Sequence, residues 1–438
     1  MRQYAYDIVY QTLEKGGHSD ECYHRILEKK PDFLTNEKSF LKRLSFGTIE
    51  RAIELDACLD AVSKMPVKKL NPQVRTVLRM ALYEIRYMDQ VPDAVTCHEA
   101  VELARKKANE RVTGFVNGVL RGYLRQKDKI QAKEPWQMLS LPEELMTHLV
   151  RQYGKKTAKK IAESFLEKGG EVTIHLDTNK ISVEDYRHKL EKEGILWRDG
   201  AYWKDALVLT KVSDVRNLPG YEEGLFFVQD ESSMLPVSCA GIKKGDFVVD
   251  ICSAPGGKSL HALLELNGTG RLSARDVSEQ KVKKVRENIR RLAYENATCK
   301  VWDATKPDDE TENMADVLLA DVPCSGIGII GRKPEIKYHA MEQAETLVPL
   351  QREICRQSVQ MLKPGGTFMY STCTINRAEN EENVEWLEKH CGLVRESLNP
   401  YLPPKLCNRM TEEGMLQMLP GLQKSDGFFV ARLRKKAM

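Results

Sequence analysis

The sequence has no run of about 18 apolar residues, which is the length a helix needs to cross a bilayer. Residues Met1–Asp7 place an acid where a signal peptide would begin its apolar stretch. The net charge is only +4, too small to indicate nucleic-acid binding by itself. We therefore expect a cytoplasmic protein with no membrane partner, and the distribution of charge has to be inspected.

The 11 cysteines include no Cys-x-x-Cys pair and no Cys/His cluster at zinc spacing. We therefore predict no bound metal, and we expect most of the thiols to be reduced, buried and structural. Cys324 and Cys373 are exceptions, because each follows an apolar strand and lies in a short polar turn, where a thiol can be reactive.

The chain, at 438 residues, is long enough for three domains. Residues 1–125 have few glycines, prolines or strand signals. Asn71 and Pro72 form a helix start, after which apolar residues recur at helical spacing. We predict an all-α bundle over 1–125, followed by a polar linker over 126–140.

Residues 141–235 change pattern and predict a small α+β module. A helical start leads into an alternating strand at 172–176, a helix at 182–193 and two further strand-like pieces. This β-α-β-β order resembles part of an RNA-recognition fold, although no aromatic RNA-binding motif is visible. An RNA-binding module and a plain spacer both remain open for this region.

Residues 236–438 alternate short apolar runs with helical ones. The pattern predicts an α/β domain with a doubly wound, mostly parallel sheet. In such a sheet, ligands bind at the carboxyl ends of the strands.

Basic residues are concentrated in two runs. Between Arg105 and Lys133 there are nine Lys/Arg against two acids, a net charge of +7, and Arg151–Lys160 adds five more with no acid. Solvated helix faces and an RNA footprint explain either run alone about equally well. Their closeness in sequence favours the RNA footprint.

A nucleotide-type loop follows the apolar strand that ends in Asp250. Its turn, Pro255–Gly257, leads into a helix, and glycines there allow close backbone approach to a ligand. The spacing is neither G-x-G-x-x-G nor a complete Walker loop, so a phosphate is a poor fit. Asp276 and Asp303 end the next two strands, which suits the ribose and adenine of S-adenosylmethionine.

Cys324 and Cys373 each follow an apolar strand and lie in a short polar turn. A thiolate that adds to C6 of a pyrimidine makes C5 nucleophilic enough to accept a methyl group. Asp321, just before Cys324, is placed to hydrogen-bond the base edge. The residues predict cytosine-C5 methylation, but they do not decide which cysteine attacks.

The motifs together resemble the NOL1/NOP2/Sun family of RNA cytosine-5 methyltransferases. They are Asp321–Gly326, Ser371–Thr374 and the loop Ala254–Lys258, and the N-terminal bundle is similar to the antitermination factor NusB. This arrangement is that of the RsmB/Sun-type members, which act on 16S ribosomal RNA. The resemblance covers nearly the whole chain.

The resemblance implies that Cys373 is the nucleophile and that Cys324 assists product release. It implies a Rossmann-like class I methyltransferase domain, small-subunit ribosomal RNA as partner, a cytosine-967 type of target and a monomer. The cofactor and base pocket would be formed by Cys252, Ser253, Ala254, Pro255, Gly256, Gly257, Lys258, Asp276, Asp303 and Asp321. Arg332 and Lys337, in a polar loop, correspond to the RNA-side segment of the family.

Three alternatives stay open. The same chemistry could act on transfer RNA or on DNA, although the NusB-like bundle speaks against both. A different class of protein would be a non-catalytic RNA-binding or antitermination factor. The presence of both cysteines and of Asp276, Asp303 and Asp321 argues against that reading.

Overall fold

The computed structural model describes residues 1–167, 170–212 and 214–437. The described chain divides into two compact units. The first contains Met1–Glu167 together with Ile330–His339, and the second contains the rest. No helix within the described residues is both long and apolar enough to span a membrane.

The first unit is built from helices alone, as the sequence predicts for 1–125. In chain order they are α1 Arg2–Lys15, α2 Ser19–Lys29, α3 Thr35–Asp60, α4 Pro72–Tyr87, α5 Asp93–Lys107, α6 Thr113–Leu124, α7 Pro135–Met138 and α8 Glu143–Ser164. Their apolar stripes meet in one core that includes the fully buried Leu44, Leu78 and Leu120. Burial of these stripes, more than intrinsic propensity, stabilises the helices.

The start of α4 follows the predicted signal. The Asn71 side chain accepts a hydrogen bond from the Gln73 backbone N–H at 2.8 Å, and Pro72 occupies the first helical position, where no N–H is needed. The sequence pattern assigns helix α8 to the α+β module that begins at 141, and in the structure its contacts group it with the first compact unit. Local periodicity shows that α8 is a helix without showing what it packs on.

The inserted segment, Ile330–His339, is a late part of the chain that packs in the helical unit. Glu335 accepts hydrogen bonds from the Ser19 backbone N–H at 3.1 Å and from its hydroxyl at 2.8 Å. Tyr338 donates its hydroxyl to the Ile49 carbonyl at 2.6 Å and packs against the helical core. The first unit therefore takes residues from two distant stretches of the sequence.

The second unit begins with a four-stranded antiparallel sheet. Its elements are β1 Glu171–Leu176, α9 Val183–Lys192, β2 Trp197–Asp199, β3 Ala206–Thr210 and β4 Phe226–Val228, with strand order β2-β3-β1-β4. Ile174, Tyr186 and Phe226 are fully buried between helix and sheet. The predicted β-α-β-β order is confirmed, with β4 as an added edge strand.

The larger sheet carries the candidate site. Its elements are α10 Glu231–Ser238, β5 Phe247–Asp250, α11 Gly257–Leu266, β6 Arg271–Asp276, α12 Glu279–Arg291, β7 Ala297–Val301, β8 Ala315–Asp321, α13 Ala340–Ser358, β9 Leu362–Thr372, α14 Glu381–His390, β10 Leu393–Arg395, α15 Arg409–Glu412, β11 Met415–Met418 and β12 Phe428–Lys435. The strand order is β10-β12-β9-β8-β5-β6-β7, and β11 pairs with β12.

The five strands β9, β8, β5, β6 and β7 are parallel, and β12 runs antiparallel beside β9. The predicted doubly wound, mostly parallel sheet is confirmed. Strand β5 has β6 on one side and β8 on the other, so the order reverses there. Ligands of open α/β sheets bind at such a switch point, outside the carboxyl ends of the strands. The loop after β5 and the turns after β8 and β9 all lie at this edge.

Candidate active site

The loop that the sequence predicts to bind the cofactor, which begins at Cys252, joins β5 to α11 in a tight turn. Gly256, the residue just before α11, has a φ of 115°, a backbone conformation that L-residues with a side chain rarely adopt, so glycine is needed there. The peptide bond between Ala254 and Pro255 is cis. Asp276, at the end of β6 and buried, accepts a hydrogen bond from the Ala254 N–H at 3.3 Å. The structure thus brings the predicted loop and the Asp276 carboxylate together.

The hydroxyl of Ser253 supports a ligand site at this loop. The backbone N–H of Ser253 donates a hydrogen bond to the Arg275 carbonyl at 2.8 Å, which fixes the loop to β6. The Ser253 hydroxyl is buried, and among the described residues it has no hydrogen-bond partner. Buried polar groups are nearly always hydrogen-bonded, so this one indicates a partner that is not part of the chain.

Asp250 is a buried acid that the sequence patterns did not single out as a site residue. It ends β5, is 1% exposed, and accepts a hydrogen bond from the Ser259 hydroxyl at 2.7 Å. Burial raises the pKa of Asp250 to about 7, although the Ser259 hydrogen bond opposes the change. The available signal was an acid at the end of an apolar strand, which Asp250 shares with Asp276.

The raised pKa of Asp250 predicts a pH-dependent stability. An unfolded aspartate titrates at about pH 4. Between about pH 4 and about pH 7, Asp250 in the folded protein therefore holds a proton that the same residue has lost in the unfolded chain. The free energy of unfolding therefore falls as pH rises through this window. Asp250→Asn is expected to have a wild-type melting temperature at about pH 4 and a higher one at about pH 8. Thermal unfolding of the ligand-free protein measures this, and a difference that is constant across the window contradicts it.

Asp303 lies two residues beyond β7 and is exposed. Its carboxylate accepts hydrogen bonds from the Thr305 N–H at 3.0 Å and from the Thr305 hydroxyl at 2.7 Å. These bonds lower the pKa of Asp303 and keep it charged. Such a turn orders the loop by itself, so a cofactor contact by Asp303 stays a prediction.

Asp321, at the end of β8, lies between two partners from neighbouring elements. Lys258 of α11 donates to one carboxylate oxygen at 2.6 Å, and Ser371 of β9 donates its hydroxyl to the other at 2.8 Å. Burial alone would lower the pKa of Lys258. The charge of Asp321 outweighs this effect and raises the pKa of Lys258 above its ordinary value. The Asp321 carboxylate is thereby fixed at the switch point of the sheet.

The two predicted cysteines converge. Strands β8 and β9 are parallel neighbours with Asp321 opposite Ser371, so the turns that follow them lie side by side. The sulfur atoms of Cys324 and Cys373 are 3.3 Å apart, within hydrogen-bonding distance, and both residues are partly exposed. The hydrogen bond with Cys373, together with burial, holds the pKa of Cys324 well above that of a free thiol. Cys324 therefore keeps its proton.

Lys337 is buried in the structure, whereas the sequence predicts that it contacts RNA. It lies in the inserted segment, is 3% exposed, and donates a hydrogen bond to the Glu50 carbonyl within the helical unit. Burial lowers the pKa of Lys337 to about 7. A buried ammonium group with a carbonyl partner offers little charge to a phosphate. Arg332 belongs to the same segment, and RNA binding by it stays a prediction.

Comparison with family models divides the chain into the same order of domains that the sequence predicts. Residues 239–434 match the model described as 16S rRNA methyltransferase RsmB/F. Residues 1–125 match the NusB family, and residues 141–216 match the ferredoxin-like domain of RsmF/B-like methyltransferases.

Relatives match over nearly the full length, and solved structures match over the whole chain or a large part of it. The chain is 33% identical to the probable ribosomal RNA small subunit methyltransferase B of Bacillus subtilis, covering 98% of each chain, and 28% identical to ribosomal RNA small subunit methyltransferase B of Vibrio cholerae, covering 100% of this chain and 98% of the other. The crystal structure of PH0851 covers 99% of this chain and 98% of its own, with a TM-score of 0.83 and 22% identity. NSun6 from Pyrococcus horikoshii, solved with SFG, covers 67% of this chain and 98% of its own, with a TM-score of 0.60 and 23% identity. These two structures show the fold that the chain shares.

Proposed function

The chain belongs to the RsmB/F family of 16S rRNA methyltransferases, and we propose that it transfers a methyl group to C5 of a cytosine in small-subunit ribosomal RNA through a covalent cysteine adduct. The observation that carries the C5 chemistry is the pair of thiols, Cys324 and Cys373, 3.3 Å apart at the carboxyl edge of the sheet. A methyltransferase that acts on a nitrogen or a hydroxyl group has no need of two such thiols.

Cys373 is the nucleophile in this proposal. The S–H of Cys324 is placed to donate a hydrogen bond to the sulfur of Cys373. The thiolate forms a bond to C6 of the cytosine, which gives C5 the electrons to accept a methyl group. Loss of the C5 proton to a base then breaks the bond between sulfur and C6. Cys324, beside the departing sulfur, assists this release.

Asp321 recognises the base edge in the proposal. Lys258 and Ser371 hold its carboxylate in one orientation, so little freedom is lost when a base binds. A carboxylate accepts a hydrogen bond from the amino group of cytosine, whereas uracil presents a carbonyl oxygen that it repels. The same lysine keeps a positive charge near the reacting ring.

S-adenosyl-L-methionine is the proposed cofactor, and it supplies an electrophilic methyl group. NSun6 from Pyrococcus horikoshii was solved with SFG, an analogue of this cofactor. The residues that would hold it are the loop Cys252–Lys258, Asp276 and Asp303. The Ser253 hydroxyl, which has no partner in the described part of the chain, and the buried Asp276 carboxylate fit a polar, phosphate-free nucleoside.

The substrate class follows from the location of the reacting atoms. C6 of a stacked, paired cytosine is not accessible to a side chain, so the target base has to leave its stack. A single-stranded loop or bulge of the RNA allows this more readily than an intact helix. The cytosine-967 type of target, which the resemblance implies, is the proposed specificity.

The proposed function is tested by mapping 5-methylcytosine in ribosomal RNA. Bisulfite sequencing of RNA from cells lacking the protein should show one 16S cytosine that has lost its methyl group, and return of the wild-type gene should restore it. The purified protein should methylate the same cytosine in unmodified RNA. A loss confined to transfer RNA would move the substrate to that class, and no loss at any cytosine would refute the C5 chemistry.

The basic runs predict a strong salt dependence of RNA binding. Lys155, Lys156 and Lys160 of α8 are exposed. If they neutralise phosphates, changing all three to glutamine should weaken RNA binding and reduce the slope of log affinity against log salt by about 2 to 3. Filter binding or anisotropy over a salt series measures this.

The matched control changes Lys189, Lys192 and Lys204, three exposed lysines of the small module, to glutamine. This variant removes the same charge and should keep most of the slope. Equal slopes for wild type and both variants would show that α8 is a solvated surface without a role in RNA binding.

A further inference from the structure

The carboxylate of Glu379 lies buried between the turns that carry the two cysteines. Its side chain is 0% exposed. On the side of the first cysteine it accepts hydrogen bonds from the backbone N–H of Ser325, at 2.8 Å, and from the Ser325 hydroxyl. On the side of the second it accepts one from the Asn376 side-chain amide at 3.0 Å. One carboxylate thus joins the residue after Cys324 to a residue three positions beyond Cys373.

Gln351 of α13 adds a third point of attachment. Its side-chain amide donates to Glu379 at 3.0 Å and to the carbonyl of Pro323, the residue before Cys324, at 2.9 Å. The hydroxyl groups of Ser325 and Thr374 also lie 2.8 Å apart, which links the residues that directly follow the two cysteines. The backbone on both sides of Cys324 is therefore fixed relative to the turn of Cys373.

We propose that Glu379 is a positioning residue that holds the sulfur atoms of Cys324 and Cys373 in contact. The inference rests on the proposed function and deepens it, because a two-thiol mechanism needs the Cys324 sulfur beside the Cys373 sulfur that bonds C6. Among the hydrogen bonds that the structure describes, Glu379 makes none to either sulfur atom. Glu379 therefore acts through the two turns. Charge-assisted hydrogen bonds inside the protein are strong, and a single buried carboxylate can set the separation of two loops.

Loss of the carboxylate should therefore change the separation of the thiols more than it changes the fold. In Glu379→Ala the Ser325 N–H, the Asn376 amide and the Gln351 amide lose a shared acceptor, so the two turns are free to move apart. Glu379→Gln keeps the size and one acceptor oxygen, and it should restore much of the wild-type behaviour. Asn376→Ala removes one of the donors to Glu379 and should have a smaller effect than Glu379→Ala.

The test uses a reporter that needs neither RNA nor cofactor. The oxidant diamide takes two hydrogens from a pair of adjacent thiols and leaves a disulfide, and peptide mass spectrometry identifies the Cys324 to Cys373 linkage. We expect its rate of formation to fall by about tenfold to a hundredfold in Glu379→Ala, because displacement by about 1 Å costs that much in reactions between fixed groups. With substrate, kcat should fall similarly while KM for S-adenosylmethionine stays near the wild-type value.

Glu231 supplies the matched control. It is also a buried carboxylate, 3% exposed, and it accepts hydrogen bonds from the backbone N–H groups of Ala201, Tyr202 and Trp203 at 2.7, 2.6 and 3.0 Å. Glu231→Ala should lower the melting temperature and leave the rate of disulfide formation unchanged.

The outcomes separate the proposal from its rivals. A wild-type rate of disulfide formation in Glu379→Ala overturns it, as does an equal slowing in Glu231→Ala, which would indicate a general loss of stability. If Glu379→Ala does not fold, Asn376→Ala decides, since an unchanged rate in that folded variant also overturns the proposal. A wild-type protein that forms the disulfide quickly but makes no 5-methylcytosine would remove the proposed function and leave the positioning role standing.

Discussion

Cys373→Ala is expected to abolish methyl transfer and covalent attachment to RNA together. Without the attacking thiol nothing is added to C6, so C5 stays a poor nucleophile. Removal of a catalytic nucleophile lowers kcat by about 10⁴-fold or more. Cys324→Ala should behave differently, because the attacking thiol remains: the adduct forms and is released slowly. Each variant, mixed with RNA and S-adenosylmethionine and run on a denaturing gel, shows the difference as a retained protein–RNA band.

The contrast between the two variants carries the test. A band for Cys324→Ala and none for Cys373→Ala supports the assignment of roles. The opposite pattern would make Cys324 the nucleophile, and full activity in both would return the pair to structural cysteines. Cys391→Ala, which removes a partly exposed thiol of the same domain outside both turns, should form product at the wild-type rate.

Asp276→Ala is expected to weaken binding of S-adenosylmethionine by about 1–3 kcal/mol, or roughly 5-fold to 150-fold. The carboxylate is 5% exposed and lies beside the loop, where it accepts a hydrogen bond from the Ala254 N–H. In the proposal it also accepts from ribose hydroxyls, which alanine cannot do. Titration calorimetry measures the change.

A control for Asp276→Ala removes an exposed acid three positions later. Glu279→Ala, at the start of α12, should bind the cofactor with wild-type affinity. Unchanged affinity in Asp276→Ala would remove Asp276 from the site. Tighter binding of NAD than of S-adenosylmethionine by the wild-type protein would overturn the cofactor assignment.

Local sequence patterns were enough to predict most of the fold. Strands β5 and β8 are apolar runs that end in an acid, and helices α4, α11 and α12 have clear apolar periodicity. Burial at that spacing stabilises the same elements in the folded chain, so the predicted order is confirmed. The convergence of Cys324 and Cys373 was also predictable, because the carboxyl ends of parallel strands share one edge of the sheet.

Contacts between distant residues were not predictable in the same way. The pairing of Lys258 with Asp321 spans 63 positions, and the contacts of Glu379 with Ser325 and Gln351 depend on which strands become neighbours. The burial of Lys337 was unpredictable for the same reason. In the sequence Lys337 is a cation in a polar loop, and only its packing in the folded chain shows that it is buried. An acid in the polar run Asn376–Asn380, just after Cys373, was the available signal for Glu379.

The inserted segment has a consequence for the order in which the protein folds on the ribosome. The first 167 residues of the nascent chain leave the ribosome well before Glu335 and Tyr338 are synthesised, although both belong to the helical unit. Until then Ser19 lacks its carboxylate partner and the Ile49 carbonyl lacks its hydroxyl donor. The helical unit is therefore completed only after the strand that precedes Cys324 has been synthesised. The first cysteine turn and the last segment of the helical unit are thus synthesised one directly after the other.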